Sequence, residues 1–128
     1  MPSFSQKSLG KLDTCDIKLQ RLFKEVIKIT DCTIIEGHRT RERQAILFND
    51  GKSKVRTGKH NESPSQAVDV APWPIPEDWD KRPFDHFAGV VRAVAYEMDI
   101  SIRWGGDWDG DWNLFDQTFN DLVHFEVI

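Results

Sequence analysis

The segment "QAVDVAP", residues 66–72, places the tightest constraint on how this chain folds. Its apolar residues alternate as in a strand until Pro72, which has no N–H to give a ladder, stops the run. Asp69 interrupts that run, and a carboxylate buried there without a partner would cost several kcal/mol. The fold must therefore bring positive charge to Asp69, and either a metal ion or an arginine would serve.

The elements around this strand follow from periodicity and punctuation. In "DTCDIKLQRLFKEVIKI", residues 13–29, Leu19, Leu22, Phe23, Val26 and Ile29 recur at three- and four-residue spacing, which predicts a helix capped by Asp13 or Thr14. "CTIIEG" reads as a short strand ended by Gly37, and "TRERQAILFNDG" as a helix capped by Thr40 and closed by Gly51. The polar stretch from Lys52 to Ser65 predicts a loop, and "WPIPEDWDKRP" a connector without regular period. "FDHFAGVVRAVAYEMD" restores a helical stripe through Phe84, Phe87, Val91, Val94 and Met98. "ISIRW" is a strand, "GGDWDGDWN" a tight acidic loop and "LVHFEVI" the last strand. Few and short strands favour an α+β domain, with three or four strands in a small, mainly antiparallel sheet and helices packed on one side.

The 128 residues are expected to form one domain, 1–128, with no second domain. Apolar residues at 39% and charged residues at 30% are ordinary for a globular chain and argue against disorder. A net charge of -4 argues against a nucleic-acid partner, although "KSKVRTGKH" is a local basic patch. The first residues lack the basic head and apolar stretch of a signal peptide, and no run approaches the roughly 18 apolar residues of a membrane span. The expectation is a monomer made in the cytoplasm without membrane insertion.

Cys15 and Cys32 flank the first predicted helix, which would separate them by about 24 Å. A disulfide needs Cα atoms within about 7 Å, so two free, buried thiols are expected. Trp73, Trp79, Trp104, Trp108 and Trp112 all fall near strand ends and loops, where they either pack the core and rim or line a groove.

Of the four histidines, His86 lies on a predicted helix and reads as a surface residue, and His38 sits at a strand-to-helix corner beside Arg39. His60 and His124 differ because each has an acid in register. His60 precedes Asp69 by nine positions, and His124 has Asp121 three before it and Glu126 two after. Zinc in catalytic sites takes three protein ligands, commonly His and Asp or Glu, and leaves one position open. Asp121 can stand beside such an ion without binding it and take a proton from the attacking water. Glu126 shares a strand face with His124 and is either its supporting partner or a rival base. The helical protease motif H-E-x-x-H is absent.

"GHRTRERQ", "KHNESPSQAVDVAP", "RWGGDWDGD" and "DLVHFEV" occur in the order seen in the M15 peptidases. These are zinc D-Ala-D-Ala peptidases of the VanX/VanY type and phage endolysins that cut between L-Ala and D-Glu. The opening "FSQKSLGKLDTC" also resembles short phage members. The resemblance implies a D-Ala-D-Ala metallopeptidase/hedgehog-like fold and one zinc ion on His60, Asp69 and His124. It implies Asp121 as the base and Arg39 as the oxyanion partner, where an ion pair with Glu36 is the plainer reading of that arginine. An aspartate at 121 resembles the endolysin branch more than the dipeptidase branch. The His60–Asp69 spacing is two residues longer than in the family's S-x-H-x-x-G-x-A-x-D pattern, and the mid-motif glycine has no counterpart.

The reading is thus a zinc-dependent peptidoglycan peptidase acting on the stem peptide as a phage endolysin, reaching the wall after the membrane is permeabilised. Gln44, Lys59, Ser65 and Trp104 are candidate substrate-binding residues, and the basic "KSKVRTGKH" loop could flank the groove for an acidic peptide. The rivals are a D-Ala-D-Ala carboxypeptidase on the same site and a zinc-bearing wall-binding module without catalysis. A metal-dependent nuclease is disfavoured by the charge. Asp107, Asp109, Asp111 and Asn113 echo the first four ligand positions of a calcium loop, but the expected twelfth-position glutamate is Thr118. A calcium site and a solvent-facing turn are the two readings of that loop.

Overall fold

The computed structural model describes residues 2–51, 58–117 and 120–128. Four strands form one antiparallel sheet: β1 (Cys32–Glu36), β2 (Ala67–Pro72), β3 (Ile102–Trp104) and β4 (His124–Val127), in the order β1-β2-β4-β3. The helices are α1 (Gln6–Leu12), α2 (Ile17–Ile29), α3 (Arg41–Asn49) and α4 (Lys81–Glu97). This is the α+β architecture with a mainly antiparallel sheet that the sequence predicts. No described helix is long and apolar enough to cross a membrane.

The core explains which side the helices take. Leu19, Leu22, Phe23 and Val26 of α2 and Phe87 and Val91 of α4 pack on Val68 and Val70 of β2 and Phe125 and Val127 of β4. Phe125 receives Phe23 and Phe87 edge-on, with ring centroids 5.5 and 6.1 Å away. Because strand side chains alternate between faces, this core assignment sends Asp69, His124 and Glu126 to the opposite face. Asp69 lies directly across from His124 in the β2–β4 register.

The first helix differs from the sequence expectation. It starts four residues later than predicted: α2 begins at Ile17 with Asp16, not Asp13 or Thr14, accepting from the Lys18 N–H, and a separate helix, α1, precedes it. Asp13 instead ends α1, and the Thr14 hydroxyl donates to Lys11 O while accepting from the His38 N–H. α1, capped by Ser5, was not legible as a helix. It covers the outer edge of β1, where Ser8 Oγ accepts from the Ile34 N–H. Cys15 and Cys32 are both buried and free, as expected.

α3 has the predicted Thr40 cap, and Gly51 follows it with a left-handed φ of 73°. α4 starts three residues earlier than expected, at Lys81, with Asp80 as its cap. Pro83 falls in the first turn, where its missing N–H has no helical partner to lose. Trp79, just before the cap, stacks on Phe84 at 5.3 Å and fixes the entry angle. The β1–β2 register shifts between Ile34 and Glu36, so Ile34 faces Val70 and Glu36 faces Asp69, with Ile35 as the extra residue of a bulge.

Candidate metal centre and catalytic face

Three side chains from separate segments converge on the open face of the sheet. His60 comes from a short 3-10 turn (Lys59–Asn61), Asp69 from β2 and His124 from the start of β4. All three are buried, and one ligand atom from each lies within 4.8 Å of the others. Asp69 Oδ1 is 3.1 Å from His60 Nε2 and 3.5 Å from His124 Nδ1.

The remaining ring nitrogens are already committed. His60 Nδ1 lies 2.8 Å from Gly37 O, which as a carbonyl accepts its proton. His124 Nε2 donates to Glu126 Oε1 at 2.8 Å. Those two bonds leave His60 Nε2 and His124 Nδ1 as the ring nitrogens directed at Asp69, and they can present lone pairs to a metal there. Two imidazole nitrogens and one carboxylate oxygen, each oriented from behind, fit a divalent metal with an open position.

The electrostatics agree with a site built for positive charge. Burial works against ionising Asp69, but His124 and His60 overcome it and hold the carboxyl well below the usual range. Burial also opposes a charged His124, yet Asp69 and Glu126 push it up to about 9. Glu126 is held down against burial by His124 and Lys59, and it lies 3.4 Å from Lys59 Nζ and 3.5 Å from Arg103 Nη1. It supports His124 and is not free to act as a rival base.

Asp121 is different. Its carboxyl is pushed up by burial first and by the charge of Asp69 second. It makes no side-chain hydrogen bond among the described residues, so its oxygens are available. A turn places it: the Asp121 N–H donates to Gly105 O at 2.8 Å and the His124 N–H to Asp121 O at 3.1 Å. A Cβ on Gly105 would sit 2.2 Å from Asp121 O, so only glycine permits this approach.

Arg39 closes the other side. Its Nε and Nη2 donate to Glu36 at 3.1 and 2.9 Å, Nη1 to Gln44 at 2.7 Å, and Nη2 also to Asp69 Oδ2 at 3.4 Å. The ion pair with Glu36 and a place beside the metal group are therefore both present. The His60 turn is latched to this corner: the Arg39 N–H donates to His60 O, and Asn61 Nδ2 donates to Arg39 O at 2.7 Å. The long His60–Asp69 connection is tied down by Ser65, whose N–H donates to Thr14 O and whose carbonyl accepts from the Asp16 N–H.

The candidate substrate residues fare differently. Ser65 is fully buried with its hydroxyl donating to Ala67 O, and Trp104 is 2% exposed with its indole N–H on Leu122 O. Both side chains belong to the packed interior. Gln44 is buried against Arg39, and Lys59 reaches Val127 O and Glu126, so these two brace the site. Residues 52–57 of the basic loop lie outside the described residues. His38 and His86 are exposed and are not among the clustered ligand residues, and His86 is a surface residue as its sequence position predicts.

Sequence reasoning gave no site role to Gly37, Asn61 or Gly105, and named Trp108 only among the aromatics that pack the rim or line a groove. Trp108 packs its ring 5.4 Å from that of His124 and forms a wall of the site. The "GG" after Trp104 was the one readable signal for Gly105.

In the acidic loop, Asp107, Asp109 and Asp111 approach within 4.8 Å. Asp109 and Asp111 accept from the N–H two residues on, as does Asn113, which is how such side chains build a turn. Asp107 is fully buried and paired with Arg92 at 2.9 Å. These contacts account for the loop as a turn, and Thr118 lies outside the described residues.

A metal-type ligand trio with an unengaged carboxylate and an arginine at its rim is what a metal-dependent hydrolase requires. The chain belongs to the phage L-alanyl-D-glutamate peptidase family, whose model matches residues 2–128. It is thus a peptidase of the M15 type. The fold is that of Serratia marcescens L-Ala D-Glu endopeptidase ChiX, at a TM-score of 0.80 and 24% identity over 99% of this chain and 91% of that one. A weaker match is the vancomycin-resistance D,D-dipeptidase VanXYg, at a TM-score of 0.48 and 17% identity over 87% of this chain and 47% of that one. No curated protein matches the sequence.

Proposed function

We propose that this peptidase hydrolyses the L-Ala–D-Glu bond of the peptidoglycan stem peptide with one zinc ion held by His60, Asp69 and His124, and serves in phage lysis of the host. The observation that carries it is the convergence of His60 Nε2 and His124 Nδ1 on Asp69 Oδ1, with each ring fixed from behind. When bound, zinc supplies Lewis acidity, polarising a carbonyl and acidifying water.

The protein's own groups supply the rest. Asp121, whose carboxylate makes no hydrogen bond among the described residues and is raised in pKa, takes the proton of the attacking water and passes it to the leaving amine. Arg39 stands where negative charge develops in the transition state and contributes to rate for that reason. Glu126 keeps His124 in the tautomer that presents Nδ1. Trp108 walls the site beside His124 and limits water. All these residues come from one chain, so a monomer suffices.

Digesting purified peptidoglycan with and without chelator, and identifying new termini by mass spectrometry, tests the proposal. New D-Glu amino termini that vanish with chelator are expected. Released D-Ala would favour the carboxypeptidase, and no products the wall-binding module. The unengaged carboxylate of Asp121 speaks against the last, because binding alone has no use for a base.

A further inference from the structure

Glu36 carries no role in the reaction as described so far, yet the sheet is distorted to deliver it. Continuing the register from Ile34–Val70 without a bulge would set Ile35 across from Asp69 and turn Glu36 onto the core face beside Val68. The extra residue reverses this and seats Glu36 directly opposite Asp69. The two carboxylates are then joined by one cation, since Arg39 Nη2 contacts both, at 2.9 and 3.4 Å. All three side chains are largely shielded, at 18%, 10% and 11% exposure, so water does little to replace a lost partner.

The donors of Arg39 can be counted. A guanidinium has five N–H groups. Glu36 takes Nε and one Nη2 proton in a fork, Gln44 takes one on Nη1, and Asp69 takes the second on Nη2. One Nη1 proton is left. Without the Glu36 fork the guanidinium could swing to meet Asp69 with two donors, occupying both carboxylate oxygens, including the Oδ1 that faces the histidines.

We propose that Glu36 is a positioning residue for the peptidase reaction: it fixes Arg39 so that Arg39 holds Asp69 by Oδ2 alone, freeing Oδ1 for the metal and one Nη1 proton for the substrate. The inference rests on the zinc-peptidase reading for its catalytic half. Its metal half stands on the ligand geometry alone. Arg43 also donates to Glu36 Oε1, at 3.0 Å, from the solvent side.

The test is Glu36→Gln, which keeps the shape and removes the charge and one acceptor, together with Arg39→Lys and the double variant. Zinc affinity is measured by competition with a chromophoric chelator, and kcat and KM on a stem peptide at saturating zinc. Glu36→Gln should weaken zinc binding about tenfold and lower kcat about 10- to 100-fold with KM within about twofold. The double variant should be no worse than Arg39→Lys, because Glu36 acts through Arg39. Wild-type affinity and kcat in a protein that merely melts earlier would reduce Glu36 to a structural fork and overturn the proposal. Additive losses in the double variant would overturn it too. If the wild type cuts no stem peptide, the functional reading falls, while the zinc affinities still decide for or against Glu36.

Discussion

Two carboxylates flank His124, and their surroundings give them opposite tasks. Glu126 is bonded to His124 and lies within 3.5 Å of Arg103 and 3.4 Å of Lys59, so it stays ionised and occupied. Asp121 has no such partners among the described residues, and burial with the nearby Asp69 charge raises its proton affinity. Asp121→Asn should therefore cut turnover by about 10²- to 10⁴-fold while zinc content, read by atomic absorption, stays at the wild-type level. Residual turnover near wild type would remove Asp121 as the base. Glu126→Gln should act through the metal instead, weakening zinc affinity by roughly 10- to 100-fold in a chelator competition. An unchanged affinity would mean that His124 is held by its strand and not by this bond.

Among the elements, the turn at 121–124 is the part most exposed to a single methyl group. Gly105 exchanges backbone bonds with both Asp121 and His124, and a Cβ there would lie 2.9 Å from the Asp121 Cβ as well as 2.2 Å from its carbonyl oxygen. Gly105→Ala should cost about 1–3 kcal/mol in urea unfolding and displace the base, so kcat falls even in the folded fraction. Wild-type kcat at reduced stability would show that the turn absorbs the methyl without moving Asp121. The elements also divide by how far sequence could reach them. β2 and β4 were legible because alternation is a local signal, while the register that sets Asp69 across from His124 came only with the structure. The stripes of α2 and α4 were legible for the same reason. α1 has seven residues and no stripe, and Asp13, Thr14 and Asp16 compete as caps within four positions, so its end and the start of α2 were not. The bulge at Ile35 and the burial of Ser65 and Trp104 depend on contacts distant in sequence, which no local pattern encodes.

For the whole molecule, the ligand group couples metal, protons and stability. In the metal-free protein burial disfavours a charged His124, but Asp69 and Glu126 prevail and raise its pKa from 6.5 to about 9. A raised folded pKa gives stability that is fully present below about 6.5 and is lost as pH climbs through about 9. Asp69, Glu126 and Glu36 have lowered values, so their contributions are lost only in acid and stay constant across this window. The buried thiols of Cys15 and Cys32, raised from 9.0 to about 11 and about 12, begin to lower stability from about pH 8, where unfolded thiols start to ionise. His124 therefore dominates the lower part of the interval from about pH 6.5 to about 9, and the thiols add to its loss near the top. Zinc needs its Nδ1 lone pair, so below pH 9 binding must displace that proton while Nε2–H stays on Glu126. Affinity should rise about tenfold per pH unit between 7 and 9 and then level off. Melting curves of chelated and zinc-saturated protein should diverge across the same interval, the gap widening by about 1.4 kcal/mol per pH unit. A chelated protein whose melting temperature is flat or rises from pH 6.5 to 9 would show that His124 is neutral before the metal arrives, and that the Asp69–His124–Glu126 row is set for zinc without a proton in its place.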